Sequence, residues 1–170
     1  EFAILTATRT NETLQARWSE FDLGDGVWTI PAARMKAGRE HRVPLSSAAA
    51  DLLRRLPGDN DRGGWVFAMS NSDKPLSSMS MLMTLRRMSR RDLAVHGFRS
   101  TFRDWAAEQT NFPREVAEAA LAHTLSDKVE AAYRRSDLFD KRRKLAEAWA
   151  RYCATPRPTA AVIPIRKPKG

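Results

Sequence analysis

Ala94-Val-His96-Gly-Phe98-Arg99-Ser-Thr-Phe102-Arg-Asp-Trp105-Ala-Ala107 is the stretch on which the reading of the chain turns. Its period predicts a helix over residues 97–109, with Phe98, Phe102 and Trp105 spaced to anchor that helix in a core. His96 and Arg99 stand three residues apart at the helix start, so both side chains can face one point. A phosphate suits that point, because a planar guanidinium matches two phosphate oxygens and a helix N-terminus adds backbone donors. Taken alone, His-x-x-Arg more often describes an exposed histidine beside a solvated arginine.

Outward from this helix the chain divides in two. Upstream, Thr10 can cap a short helix carrying Leu14 and Trp18 at helical spacing. Phe21-Asp-Leu23 and Val27-Trp-Thr-Ile30 flank Gly24-Asp25-Gly26 and read as a hairpin, and His41-Arg-Val-Pro-Leu45 follows a turn at residues 36–39 as a third strand. Beyond Ser46 the pattern is helical, over residues 47–56, 78–90, 97–109, 113–122 and 127–152, the last broken near Ser136-Asp137. The predicted class is therefore α+β, mainly helical, with a small three-stranded antiparallel sheet packed on a helical bundle. Residues 1–154 form one domain, and residues 155–170, rich in proline and basic side chains, are expected to be a disordered tail. The chain opens inside a structured element at Glu1, from which a missing upstream portion is expected.

Composition narrows the partner. Among 170 residues, 29 Lys and Arg against 20 Asp and Glu give a net charge of +9, which makes a polyanion, nucleic acid first, the partner to test. Cys153 is the sole cysteine and cannot form an internal disulfide, in keeping with a reducing bacterial cytosol. His41, His96 and His123 lack ligand-like spacing, so metal-free chemistry is expected. No apolar run has membrane-spanning length.

Three further segments could carry chemistry. In Leu5-Thr-Ala-Thr-Arg9-Thr-Asn-Glu12, Arg9 falls in a tight connection and Glu12 is placed to orient it, although the same pair could be a surface ion pair of little weight. In Arg34-Met-Lys36-Ala-Gly-Arg39-Glu-His41-Arg-Val-Pro-Leu45 a hairpin tip gathers cations, and a lysine there can donate a proton, though most such lysines are simply solvated. The last runs from Leu121-Ala-His123 to Ala132-Tyr133-Arg134-Arg135. Of two tyrosines, Tyr152 lies at helical spacing from Leu145, Ala148 and Trp149 and reads as packing, while Tyr133 has basic neighbours that could meet a phosphate backbone. On its own, Tyr133 also fits a half-buried helix tyrosine.

Together these segments resemble the tyrosine recombinases, most closely the integrases of prophages, satellite phages and genomic islands. Leu5-Thr-x-x-Arg9-x-x-Glu12 with Ala16-Arg-Trp18 is similar to the first arginine box, and the Met35-Lys36 hairpin to the strand turn that carries the family's lysine. His96-Gly-Phe-Arg99, Leu121-Ala-His123 and Ala132-Tyr133-Arg134 follow in the family's order. Each box is weak; their order is strong. Asn11 stands where the family commonly has glycine.

The resemblance implies the recombinase catalytic fold and a cleavage and rejoining of double-stranded DNA at an attachment-site core, integrating or excising a mobile element. In it Arg9 and Arg99 would clamp the scissile phosphate and Tyr133 would attack phosphorus to give a 3′-phosphotyrosyl enzyme. His96 would act as base or hydrogen-bond donor, Lys36 would protonate the leaving 5′ oxygen, His123 would donate to the phosphate, and Glu12 would support Arg9. It implies no cofactor, a fragment of a longer integrase whose DNA-gripping N-terminal domains are not in this chain, and a homotetramer on DNA that exchanges residues 140–152, with a monomer possible for the isolated fragment. The rival readings are a non-catalytic DNA-binding module, disfavoured by the ordered boxes, and an enzyme like the type IB topoisomerases, which share the phosphotyrosine without choosing a site.

Overall fold

Gly24-Asp25-Gly26 turns the chain between β1 (Phe21–Asp22) and β2 (Val27–Ile30). The Asp22 carboxylate accepts the N–H groups of Gly24 and Asp25, each at 2.9 Å, and Gly26 takes φ 62, a left-handed value that suits glycine. β2 also pairs antiparallel with β3 (His41–Pro44), Ile30 opposite His41 and Val27 opposite Pro44, giving the sheet order β1-β2-β3. Trp28 and Ile30 alternate into the core and are wholly buried, as a half-buried strand requires. The computed structural model describes residues 1–57, 64–69, 74–123 and 137–156.

The helices are α1 (Phe2–Thr6), α2 (Thr10–Leu14), α3 (Ser47–Arg54), α4 (Ser80–Arg87), α5 (Gly97–Glu108), α6 (Arg114–Ala120) and α7 (Phe139–Ala154). The mainly helical α+β class with its three-stranded sheet is as the sequence predicts. Several boundaries are tighter, because terminal turns fray into single turns once no further apolar side chain reaches the core. Ser46 caps α3 by accepting the Ala49 N–H at 3.3 Å.

Two local expectations change. The N-cap of α2 is Arg9, with Thr10 the first helical residue; the Glu12 carboxylate reaches back to the Arg9 N–H at 2.8 Å and satisfies a donor that the helix start would leave free. Trp18 does not continue α2. The chain leaves the helix after Leu14, pairs Arg17 with Trp65, bonds Trp18 N–H to the Gly64 carbonyl at 2.9 Å, and enters a 3₁₀ turn at Trp18–Glu20. Long-range pairing thus overrides the local period. The first part of the predicted last helix, residues 127–136, and the tail beyond residue 156 lie outside the described residues.

The core has two aromatic clusters. Phe2, Phe21, Trp28 and Phe67 form one, with Phe21 stacked on Trp28 at 5.2 Å and 10°. Phe102, Trp105, Trp149 and Tyr152 form the other, where Tyr152 stacks on Trp149 at 5.4 Å and 20°. Tyr152 is therefore a packing residue, as its spacing predicts, whereas Phe98 is only half-buried. α1 and α7 serve both clusters: Phe2 and Leu5 enter the first and Ala7 the second, Ala150 the first and Leu145 with Trp149 the second. The Trp149 indole N–H donates to the Ile4 carbonyl at 2.7 Å, locking the two helices together.

Arg142 fixes the start of α7. Its guanidinium, 2% exposed, donates to the Asp137 carbonyl at 2.7 Å, the Asp137 carboxylate at 2.9 Å and the Arg42 carbonyl of β3 at 2.5 Å. α4 is anchored differently. Leu85 is its buried residue, while Met79 just before it, Met83, and Met88 just after it are exposed, beside exposed Arg86 and Arg87.

Trp28→Ala removes a fully buried ring and its Nε1 bond to Glu20, 2.9 Å long. We expect a loss of about 3–5 kcal/mol of unfolding free energy. Urea titration measures it as a lower midpoint at unchanged slope.

Candidate active site

α1 ends at Ala7 in the left-handed conformation, φ 50, which turns the chain sharply and brings Arg9 to the head of α2. Asn11, in contrast, is helical and lies within α2. Glu12 is 4% exposed; besides the Arg9 N–H, it binds the Arg9 guanidinium at 2.7 Å. Such a charge-assisted bond to a buried carboxylate orients the cation rather than leaving it free on the surface.

Arg9 and Glu12 form one wall of an open hollow of about 510 Å³, completed by Thr10, Asn11, Ala33, Arg34, Met35, Lys36 and His96. Three distant stretches of chain therefore meet there. Lys36 arrives on the loop between β2 and β3, where Gly38 takes φ 62 and its N–H bonds the Met35 carbonyl at 3.0 Å. That loop is tied down by Arg34, which donates to the Glu12 carbonyl at 3.1 Å and pairs with the Glu20 carboxylate. His96 is the N-cap of α5 and exposed.

Arg99 does not line the hollow. Its guanidinium is 5% exposed, donating Nη1 to the Ala7 carbonyl and Nη2 to the Leu121 carbonyl at 2.8 Å. Nε has no hydrogen-bond partner among the described residues. Burial first, and then the Arg9 charge, lower its pKa to about 10, with Glu12 opposing, so the group stays charged at neutral pH. His96 and Arg99 thus diverge: one reaches the hollow, and the other ties the Arg9 turn to the end of α6.

That end presents His123. Ala122 takes φ 48, the Ala122 N–H bonds the Ala119 carbonyl at 3.1 Å, and the His123 N–H bonds the Glu118 carbonyl at 3.0 Å. This is a Schellman ending built on alanine instead of glycine. The His123 Nδ1 lies 2.6 Å from the Glu118 carboxylate, whose other oxygen takes Arg103 Nε at 2.9 Å. Burial works against the charge on Glu118, but the bonds from His123 and Arg103 outweigh it and hold this carboxyl below its ordinary range. Tyr133 lies outside the described residues.

Sequence reasoning passed over Arg34, Glu118 and Arg142 as functional supports, and left His41 without a role. Each makes a contact far along the chain that no local period records. His41 is the sharpest case. Burial and then the Arg142 charge push its imidazole down to about 4; Glu12 and a bond to the Ala120 backbone oppose, and Arg99 adds to the lowering. Among the described residues no group of three or more His, Cys, Asp or Glu side chains could hold a metal ion, and no helix is long and apolar enough to cross a membrane.

Residues 1–138 match the phage integrase family. The chain is 38% identical over 149 residues to the prophage integrase IntA of Escherichia coli K12, covering 86% of this chain and 36% of that protein. It is 31% identical over 179 residues to the integrase of Enterobacteria phage P4, covering 89% of this chain and 38% of the phage protein. The chain therefore spans well under half the length of these relatives. The integrase from mycobacterium phage Brujita shares the fold, with a TM-score of 0.67 at 18% identity over 94% of this chain and 52% of that one.

A neutral, half-buried His41 makes stability depend on pH. The unfolded chain takes up its proton near 6.5 and the folded chain only near 4, so the contribution is complete above about 6.5 and lost as pH falls toward 4. Between pH 7 and 4.5, His41→Gln should lose less stability than the wild type by on the order of 1–3 kcal/mol. Urea titrations at both pH values measure this, and equal losses would remove His41 as the cause.

Proposed function

This chain belongs to the phage integrase family, and we propose that within the whole protein it is the domain that cuts and rejoins double-stranded DNA at an attachment-site core. The observation that carries this reading is the hollow in which Arg9, Glu12, Lys36 and His96 meet, with Arg99 close enough to Arg9 for the two charges to affect each other. Adjacent cations beside a single carboxylate leave net positive charge, which a phosphate diester neutralises. The hollow is open on one side, as a site for a polymer must be.

In the proposed reaction Arg9 and Arg99 stabilise the charge that grows on the non-bridging oxygens as phosphorus becomes pentavalent. A guanidinium carries five N–H donors, so Arg99 can keep its bonds to Ala7 and Leu121 and still have donors for a phosphate oxygen. The Tyr133 hydroxyl attacks phosphorus in line, with His96 as base or hydrogen-bond donor. The bond to the 5′ oxygen breaks, Lys36 protonates that oxygen, and His123 donates to the phosphate. The phosphotyrosine keeps the ester linkage, and attack by a second 5′-hydroxyl rejoins the strand. The site of action is the bacterial cytosol, where the chromosome is.

The proposed assembly is a homotetramer on DNA in which neighbours exchange the segment after the nucleophile, residues 140–152. In one copy α7 buries Leu145 and Trp149 against its own core. Exchange would be like-for-like, since a neighbour's helix would meet the same Phe102, Trp105 and Leu121.

Two experiments follow. On a nicked suicide substrate carrying the core site, the whole protein should form a covalent adduct that Tyr133→Phe cannot form and Tyr152→Phe still can. Adduct persisting in the first variant assigns the nucleophile elsewhere. For the assembly, joining α7 to α1 within one copy through an engineered cysteine pair should abolish four-copy complexes on target DNA, as read by their mass. Complexes unchanged with the bond closed refute exchange.

A further inference from the structure

We infer that Glu118 is a positioning residue for His123, fixing which ring nitrogen carries a proton and which one the substrate meets. The inference rests on the proposed reaction for what the ring does, but not for how the ring is held.

The geometry is specific. A carboxylate only accepts hydrogen bonds, so at 2.6 Å from Glu118 the Nδ1 atom must be the protonated one. Nε2 is then the atom left for a substrate, and it donates to a phosphate oxygen only when the ring is an imidazolium, whose added charge the carboxylate beside it balances. Glu118 holds the same residue a second time, through its backbone carbonyl and the His123 N–H at 3.0 Å. Ring and main chain are therefore fixed to one helical residue.

Glu118 is itself held. Arg103 Nε meets its second oxygen at 2.9 Å, with Arg114 Nε at 3.9 Å. Arg103 stands one turn beyond Arg99 on α5, and Arg99 grips the Leu121 carbonyl. Two arginines on one face of α5 thus secure one end of α6, the first through its backbone and the second through Glu118. Surface ion pairs usually contribute little, but this carboxylate is 13% exposed and receives several donors, while the His123 side chain it orients is 39% exposed. An anchored carboxylate behind an accessible imidazole is how a protein selects a tautomer.

The test uses the intact protein. Nitrogen NMR of the labelled histidine rings should show His123 protonated at Nδ1, a form kept in Glu118→Gln, whose amide oxygen can still accept, and lost in Glu118→Ala. In single-turnover cleavage of the suicide substrate, Glu118→Ala should slow the reaction about tenfold or more, with DNA affinity within about twofold of wild type. Glu118→Gln should recover part of the rate. In a His123→Ala background neither change should slow cleavage further, because their effect runs through the missing ring. A wild-type His123 ring protonated at Nε2 but not at Nδ1, or losses that add to that of His123→Ala, would overturn the inference. Failure of the wild type to form any adduct would count against the proposed reaction instead, and the nitrogen spectrum would still decide whether Glu118 sets the ring.

Discussion

Arg99 is a buried cation whose donors hold two backbone carbonyls, and the centre of the molecule is arranged around it. Its partners, Ala7 and Leu121, lie far apart in the sequence, and each sits at a turn out of a helix. Removing a guanidinium from water is costly, and two carbonyl bonds with Glu12 nearby offset only part of that cost, as its lowered pKa records. Arg9 makes matters worse by sitting close enough to repel. The fold thus holds two mutually repelling cations close together, Arg9 at the hollow and Arg99 buried behind it.

The scaffolding around this point is apolar and redundant. α1 and α7 come from the two ends of the described chain, yet they share Trp149 and the Ile4 carbonyl, and each feeds both aromatic clusters. Polar ties are kept for the places where direction matters. Arg142 holds Asp137 to β3 at the point where the chain returns to the core, and Arg34 holds the Lys36 loop to Glu12. A short apolar helix such as α1 could not hold the Arg9 turn by its own hydrogen bonds; burial against α7 does so.

Much of this was legible in the sequence, for physical reasons that differ by residue. The hairpin announced itself because Gly24-Asp25-Gly26 supplies turn chemistry between β-formers, and the pairing of Arg9 with Glu12 is readable because a capping carboxylate acts over three residues. Trp18 misled because its spacing from Leu14 is helical, while its own N–H bonds Gly64 and its neighbour Arg17 pairs with Trp65. Ala7 was not readable as the left-handed residue before the Arg9 turn, since alanine carries no such signal in sequence. Glu118, Arg34 and His41 were not readable as supports, since their charges look like ordinary surface or strand residues until distant backbone closes over them. Arg99 was recognised as a cation at a helix start, but its inward direction is a property of the α6 end that it grips.

α4 stands apart from this tightly held centre. With Leu85 as its buried side chain, the helix has little apolar surface resisting its release, so its amide hydrogens should exchange with solvent through small local openings while α5 and α7 stay protected. Methionine is unbranched and polarisable, and Met79, Met83 and Met88 can reshape themselves where a branched side chain could not. One molecule thereby combines a closely packed interior with a flank whose unbranched side chains can repack at little cost.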